Sequence, residues 1–140
     1  RMTEPRIVRA AALVPAPWPN GRGVTRDIMS SRRADGSIER LLSLADLTQD
    51  APFSHLPHID RTFTLVEGDP VVLSFEGAGE LCCSPLVPAF FPGDWTTACR
   101  LTGAPAKALN VMVDRREGRA AVRILRVPAR VGVPLGPAVG

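Results

Sequence analysis

The stretch Arg61-Thr62-Phe63-Thr64-Leu65-Val66-Glu67 decides the fold class. Aromatic and apolar side chains alternate with polar ones at period two, the pattern of a strand with one face turned to a core. Gly68-Asp69 and Pro70 interrupt it, and Val71-Val72-Leu73-Ser74-Phe75 resumes it, so the two runs form a hairpin. Outward from this hairpin the same grammar repeats. Val24 to Met29 and Leu42 to Leu47 read as strands before it, and Leu86 to Phe91, Trp95 to Leu101 and Ala108 to Val113 as strands after it. Arg32–Gly36, Glu76–Glu80, Pro92-Gly93-Asp94 and Gly103-Ala104-Pro105 are the connections, and Pro52 to Pro57 is a loop or a single helical turn. Ile7 to Val14 ends against Pro15, Pro17 and Pro19, which block a helix, and Asn20-Gly21 is a turn dipeptide. Val122 to Val127 also reads as a strand, although Arg119, Arg123, Arg126 and Arg130 recur at a spacing that leaves a helix open. Eight or nine strands with almost no helix predict an all-β, antiparallel barrel or sandwich.

Composition narrows the function classes. The 140 residues make one domain, and 45% hydrophobic with 22% charged residues is ordinary for a globular chain. The 14 prolines and 12 glycines are spread along the chain, as punctuation between short elements. Three cysteines, two of them adjacent (Cys82, Cys83 and Cys99), make a poor disulfide framework and favour a reducing compartment. No apolar run approaches the roughly 20 residues of a membrane span, so the expected location is cytoplasmic, with no membrane partner. The pI of about 9.2 invites a nucleic-acid reading, but aromatic residues are only 5% and Tyr is absent, which leaves no stacking platform. No nucleic-acid partner is expected.

The chemistry-bearing motifs are weak. His55 and His58 are the only imidazoles, fewer than the three or four ligands that converge on a metal, and the cysteines lack metal-ligand spacing, so neither a metal nor another cofactor is expected. Ser54-His55 lacks a nucleophile elbow, Cys82 and Cys83 sit in an apolar stretch typical of buried inert thiols, and Gly21-Arg22-Gly23 lacks the third glycine and the helix of a phosphate cradle. No catalytic residue is assigned. A set of polar residues on otherwise apolar strands remains: Thr25, Arg26, Ser43, Arg61 and Asn110, with Met112 beside them. If they face a barrel mouth, two guanidinium groups and neutral hydrogen-bonding groups suit a small carboxylate. If they face outward, Arg26 pairs with Asp27 or a cross-strand acid, and Arg61 with Asp60 or Glu67.

Six blocks in order resemble the HutD/Ves family of cupin-like proteins. They are Trp18-Pro19-Asn20-Gly21-Arg22-Gly23-Val24-Thr25-Arg26-Asp27, Leu42-Ser43-Leu44-Ala45-Asp46, Asp50-Ala51-Pro52-Phe53-Ser54 with Pro57 and Ile59-Asp60-Arg61, Glu67-Gly68, Phe91-Pro92-Gly93-Asp94-Trp95, and Leu109-Asn110-Val111-Met112. The resemblance covers roughly residues 7–116. It implies an antiparallel cupin-like domain of a bicupin family, with 117–140 as the start of a second half that is short or missing. Strand edges left by such a half favour a homodimer. It also implies a metal-free, ligand-binding role, more a binding protein than an enzyme. The HutD-like members point to regulation of histidine utilisation with urocanate or N-formylglutamate as ligand, and the Ves-like members to a stress-linked protein. Thr25, Arg26, Ser43, Phe53, Arg61, Asn110 and Met112 are the expected ligand-binding set. A metal-free isomerase or hydrolase using His55, His58, Asp46 or Asp60 is the alternative. Departures from the family pattern fall at Pro19 for Lys, Arg22 for Gly, Arg40-Leu41 for Trp-Arg, and His58 for Gly.

Overall fold

The computed structural model describes residues 9, 12–18 and 23–125. Ten strands carry the fold: β1 (Pro15–Pro17), β2 (Val24–Arg32), β3 (Ile38–Leu47), β4 (Ala51–Pro52), β5 (Ile59–Glu67), β6 (Val71–Phe75), β7 (Gly79–Cys83), β8 (Ala89–Pro92), β9 (Thr97–Leu101) and β10 (Ala106–Asp114). They form a six-stranded sheet in the order β1-β2-β3-β10-β5-β8 and a four-stranded sheet in the order β4-β9-β6-β7. Every pairing is antiparallel. There is no α-helix among the described residues, and none long and apolar enough to cross a membrane. The chain is therefore all-β, as its alternation predicts.

One core joins the two sheets. Phe63, Leu65, Ala45, Leu47 and Ala108 from the large sheet pack against Val71, Leu73, Phe75, Cys83 and Cys99 from the small one. Phe63, Leu65, Val71 and Leu73 are each 0% exposed. Burying such side chains contributes on the order of 1.5–3 kcal/mol each. The expected pairing of β5 with β6 as a hairpin does not form: β5 pairs with β10 and β8, β6 with β7 and β9, so the chain crosses from one sheet to the other between them. Gly68 makes that crossing possible, because its φ of 99° is a left-handed value and an added Cβ would lie 2.5 Å from the Pro105 carbonyl oxygen.

Three local expectations are corrected. Residues 122–125 are not a strand; Arg126 and Val127 lie outside the described residues, as do Asn20, Gly21 and half of the Ile7–Val14 run. The expected turn at Glu76–Glu80 ends early, because Gly79 and Glu80 already belong to β7, pairing with Phe75 and Ser74. Cys82 on that edge strand is exposed, whereas Cys83 is buried.

Candidate functional site

The inner face of the six-stranded sheet is a lattice that the register makes explicit. One row across the strands runs Asp27–Ser43–Asn110–Phe63, and the next runs Leu41–Met112–Arg61–Phe91. Period two holds these side chains on a common side. A shift in the β2–β3 register between Asp27 and Met29 pairs Asp27 with inward-facing Ser43 but Met29 with Leu42 on the opposite face. This bulge shifts the parity of β2, so that the next residue opposite an inward position is Ser30, paired with Leu41.

Between this face, β1 and the loop after β4 lies a cavity of about 280 Å³. Thr25, Ser43, Phe53, Arg61, Asn110 and Met112 all line it. Arg26 does not. Period two turns it to the outer face, where it donates to Asp46 at 2.6 Å. Thr25 and Arg26 are sequence neighbours in one strand and so take opposite sides. Asp46 and Asp60, the latter bound by Arg115, share that outer disposition, and His55 and His58 also lie outside the cavity lining. His55 Nε2 is 2.8 Å from the Asp94 carbonyl oxygen, and both imidazoles are exposed.

Arg61 is the centre of the cavity. It is 5% exposed and has no carboxylate within ion-pair distance among the described residues. Its Nη2 donates to Asn110 Oδ1 at 3.2 Å, while its Nε is buried with no hydrogen-bond partner. The guanidinium carbon stands 4.9 Å from the Phe53 ring centroid and 5.2 Å from that of Phe91. The rings hold the cation by their π faces and leave its edge free to donate. Burial lowers the guanidinium from its ordinary value to about 10, so it stays charged at neutral pH. Ser43, 1% exposed, faces Asn110 across the β3–β10 pairing.

The walls are apolar. Trp18 meets Phe53 edge-on at 6.1 Å, and its Nε1 donates to Thr25 Oγ1 at 2.6 Å. Gly23 permits this approach, since an added Cβ there would lie 2.5 Å from the indole. Leu41, Leu47 and Leu56 complete the apolar wall, and Asp27 and Arg32 also line the cavity. Leu41 occupies the position where the family resemblance places Arg. Trp18, Asp27, Arg32, Leu41 and Leu56 were absent from the sequence-derived set. Asp27 was recoverable by parity, since it lies two residues from Thr25; Trp18 and Leu56 reach the cavity only by tertiary packing.

Other candidate chemistry lies apart from this site. Burial pushes the Cys83 thiol up to about 11 and the Cys99 thiol to about 12, which keeps both protonated at neutral pH. Among the described residues, no group of three or more His, Cys, Asp or Glu is placed to hold a metal ion.

Comparison with known proteins fits this geometry into a family. The HutD family model matches residues 10–138. The chain belongs to the HutD family. An uncharacterized 21.2 kDa protein from the hutC 3′ region of Pseudomonas putida is 29% identical over 121 residues, covering 85% of this chain and 63% of that protein. Protein Ves of Citrobacter koseri is 32% identical over 108 residues, covering 76% and 56% respectively. The solved structure of HutD from Pseudomonas fluorescens SBW25 superposes with a TM-score of 0.72 at 31% identity, over 76% of this chain and 58% of that one. This HutD-family chain therefore spans about three fifths of the length of the relatives it matches. A cupin-superfamily sugar phosphate isomerase from Silicibacter pomeroyi shares the fold at 21% identity, with a TM-score of 0.57 over 77% of this chain and 75% of that one. The architecture is cupin-like.

Proposed function

We propose that this chain binds a small carboxylate on Arg61 and acts as a ligand-sensing regulator linked to histidine utilisation, with urocanate and N-formylglutamate as candidate ligands. One observation carries the reading: a buried, charged guanidinium at a cavity, with an unpartnered Nε and no acid beside it. An uncompensated buried charge costs several kcal/mol. A fold that retains one gains most from an anion that completes it, since a charge-assisted hydrogen bond contributes about 1.5–3 kcal/mol. Asn110 fixes one edge of the guanidinium, and the Ser43 hydroxyl is at hand for a second carboxylate oxygen. The link to histidine utilisation rests on the name HutD and on the hutC-region relative.

Calorimetric titration with urocanate and with N-formylglutamate tests this directly. Wild-type protein is expected to bind at least one of them, and Arg61→Ala to weaken that binding tenfold or more. Absence of binding by wild type, or unchanged affinity in Arg61→Ala, defeats the reading.

A further inference from the structure

A line of polar groups crosses the floor of the cavity. Across β2, β3, β10 and β5 the inward row reads Asp27, Ser43, Asn110, and the Arg61 guanidinium reaches back to Asn110 at 3.2 Å. An acid therefore stands at one end of this track and a cation at the other, with neutral hydrogen-bonding groups between them. Thr25, Arg32 and Ser54 add polar groups to the lining, and the rest of it is mostly apolar: Trp18, Leu41, Leu47, Phe53, Leu56 and Met112. Burial differs between the two ends. Arg61 is 5% exposed, whereas the Asp27 side chain retains 46% exposure, so the acid marks the solvent side.

Resting on the carboxylate reading above, we infer that the ligand is bifunctional: a carboxylate for Arg61 and, at its other end, a neutral N–H donor for Asp27. Neighbouring strands are about 4.8 Å apart, so Asp27 and Asn110 are two spacings, roughly 10 Å, from each other. Allowing a hydrogen bond of about 3 Å at each end leaves on the order of 4 Å between the ligand's two polar groups. The body between them is apolar, to match the Trp18, Leu41 and Phe53 side chains of the lining.

The donor is neutral because Asp27 is not an isolated charge. Arg32 Nη2 lies 3.7 Å from Asp27 Oδ2 and lines the same cavity. The pair presents no net negative charge to attract an ammonium, and Arg32 repels one. The spare lone pairs of the Asp27 carboxylate still accept from a heteroaromatic or amide N–H. A dicarboxylate has to leave its second charge beside the Asp27 carboxylate, although Arg32 offsets part of that cost. A plain aromatic acid leaves Asp27 unserved.

The test compares two probes of the same shape, trans-urocanate and trans-cinnamate. Both carry an acrylate on a planar ring, and only the first has a ring N–H. Calorimetry on the full chain is expected to show urocanate binding at least tenfold more tightly than cinnamate. Asp27→Ala, at a half-exposed position and checked by thermal melting, should bring urocanate down to the level of cinnamate and leave cinnamate unchanged. Equal affinity of wild type for the two probes overturns the inference. So does an Asp27→Ala variant that weakens both equally. If cinnamate and urocanate bind equally and both depend on Arg61, only the bifunctional ligand falls. If neither binds, nor do acetate and N-formylglutamate, the carboxylate reading falls with it.

Discussion

The arginines of this fold live in two different environments. On the outer face and at the strand ends each structured cluster is neutralised. Arg26 meets Asp46, and Arg115 bridges Asp60 and Asp94. Arg33 and Arg116 converge on Asp114, itself 1% exposed. On the inner face Arg61 is buried between two phenyl rings with an amide oxygen for company and no acid. The paired arginines fasten one segment to another. Buried without an acid, Arg61 is a cost to folding, and its return is a site for an anion.

The largest test of this contrast is Arg61→Met. Replacing an unneutralised buried charge with an apolar side chain of similar length should raise the unfolding free energy of the ligand-free protein by about 1–4 kcal/mol, read by urea denaturation. A loss of stability instead would mean that Arg61 is a structural residue like its outer-face counterparts.

Asp114 sharpens the opposite side. Hydrogen bonds from Arg116 and Arg33 hold its carboxyl well below the usual carboxylate range. A lowered folded-state value means that its contribution is complete above the unfolded value, near 3.9, and fades as the pH falls below it. Wild type should therefore lose stability on acidification through that window, and Asp114→Asn should be less stable at pH 7 but lose less on acidification. Parallel curves for the two proteins would remove Asp114 from the account.

His58 tests the turn that brings Ile59 and β5 into place. Its φ is 68°, a left-handed value disfavoured for a side chain with Cβ. Its backbone N–H donates to Asp94 Oδ2, so the turn is held from across the molecule. His58→Gly should stabilise by about 0.5–1 kcal/mol in thermal or chemical melts, without altering ligand affinity. The smallest effect belongs to Arg26→Ala, because a half-exposed pair contributes only about 0.2–1 kcal/mol. Carboxylate affinity should stay within twofold of wild type. A tenfold fall there would erase the distinction between the two kinds of arginine.

The strand pattern was legible because period two is written locally. β2, β3, β5, β6 and β10 all emerge from alternation and turn residues with their boundaries off by a few residues, but the expected β5–β6 pairing does not form, because each strand finds its partners in a different sheet. β7 was not, because Gly79 and Glu80 look like turn chemistry until Phe75 and Ser74 supply their partners. The β-branched run near the chain's end formed no strand at 122–125. The candidate site was half legible. Ser43, Arg61, Asn110 and Met112 sit at inward positions of alternating strands, but Thr25 and Arg26 could not both face inward.

What the sequence determined by itself is the all-β class, the turn positions and the family blocks, since these depend on neighbours a few residues apart. Only the tertiary structure decided which of Arg26 and Arg61 is buried without an acid. Arg26 and Arg61 look alike in sequence, each beside an aspartate. The register sends Arg26 to Asp46 across the sheet and turns Arg61 away from Asp60 into an interior lined by rings and methyl groups. Strand parity and long-range pairing set that difference, and neither is encoded in any short window of the chain.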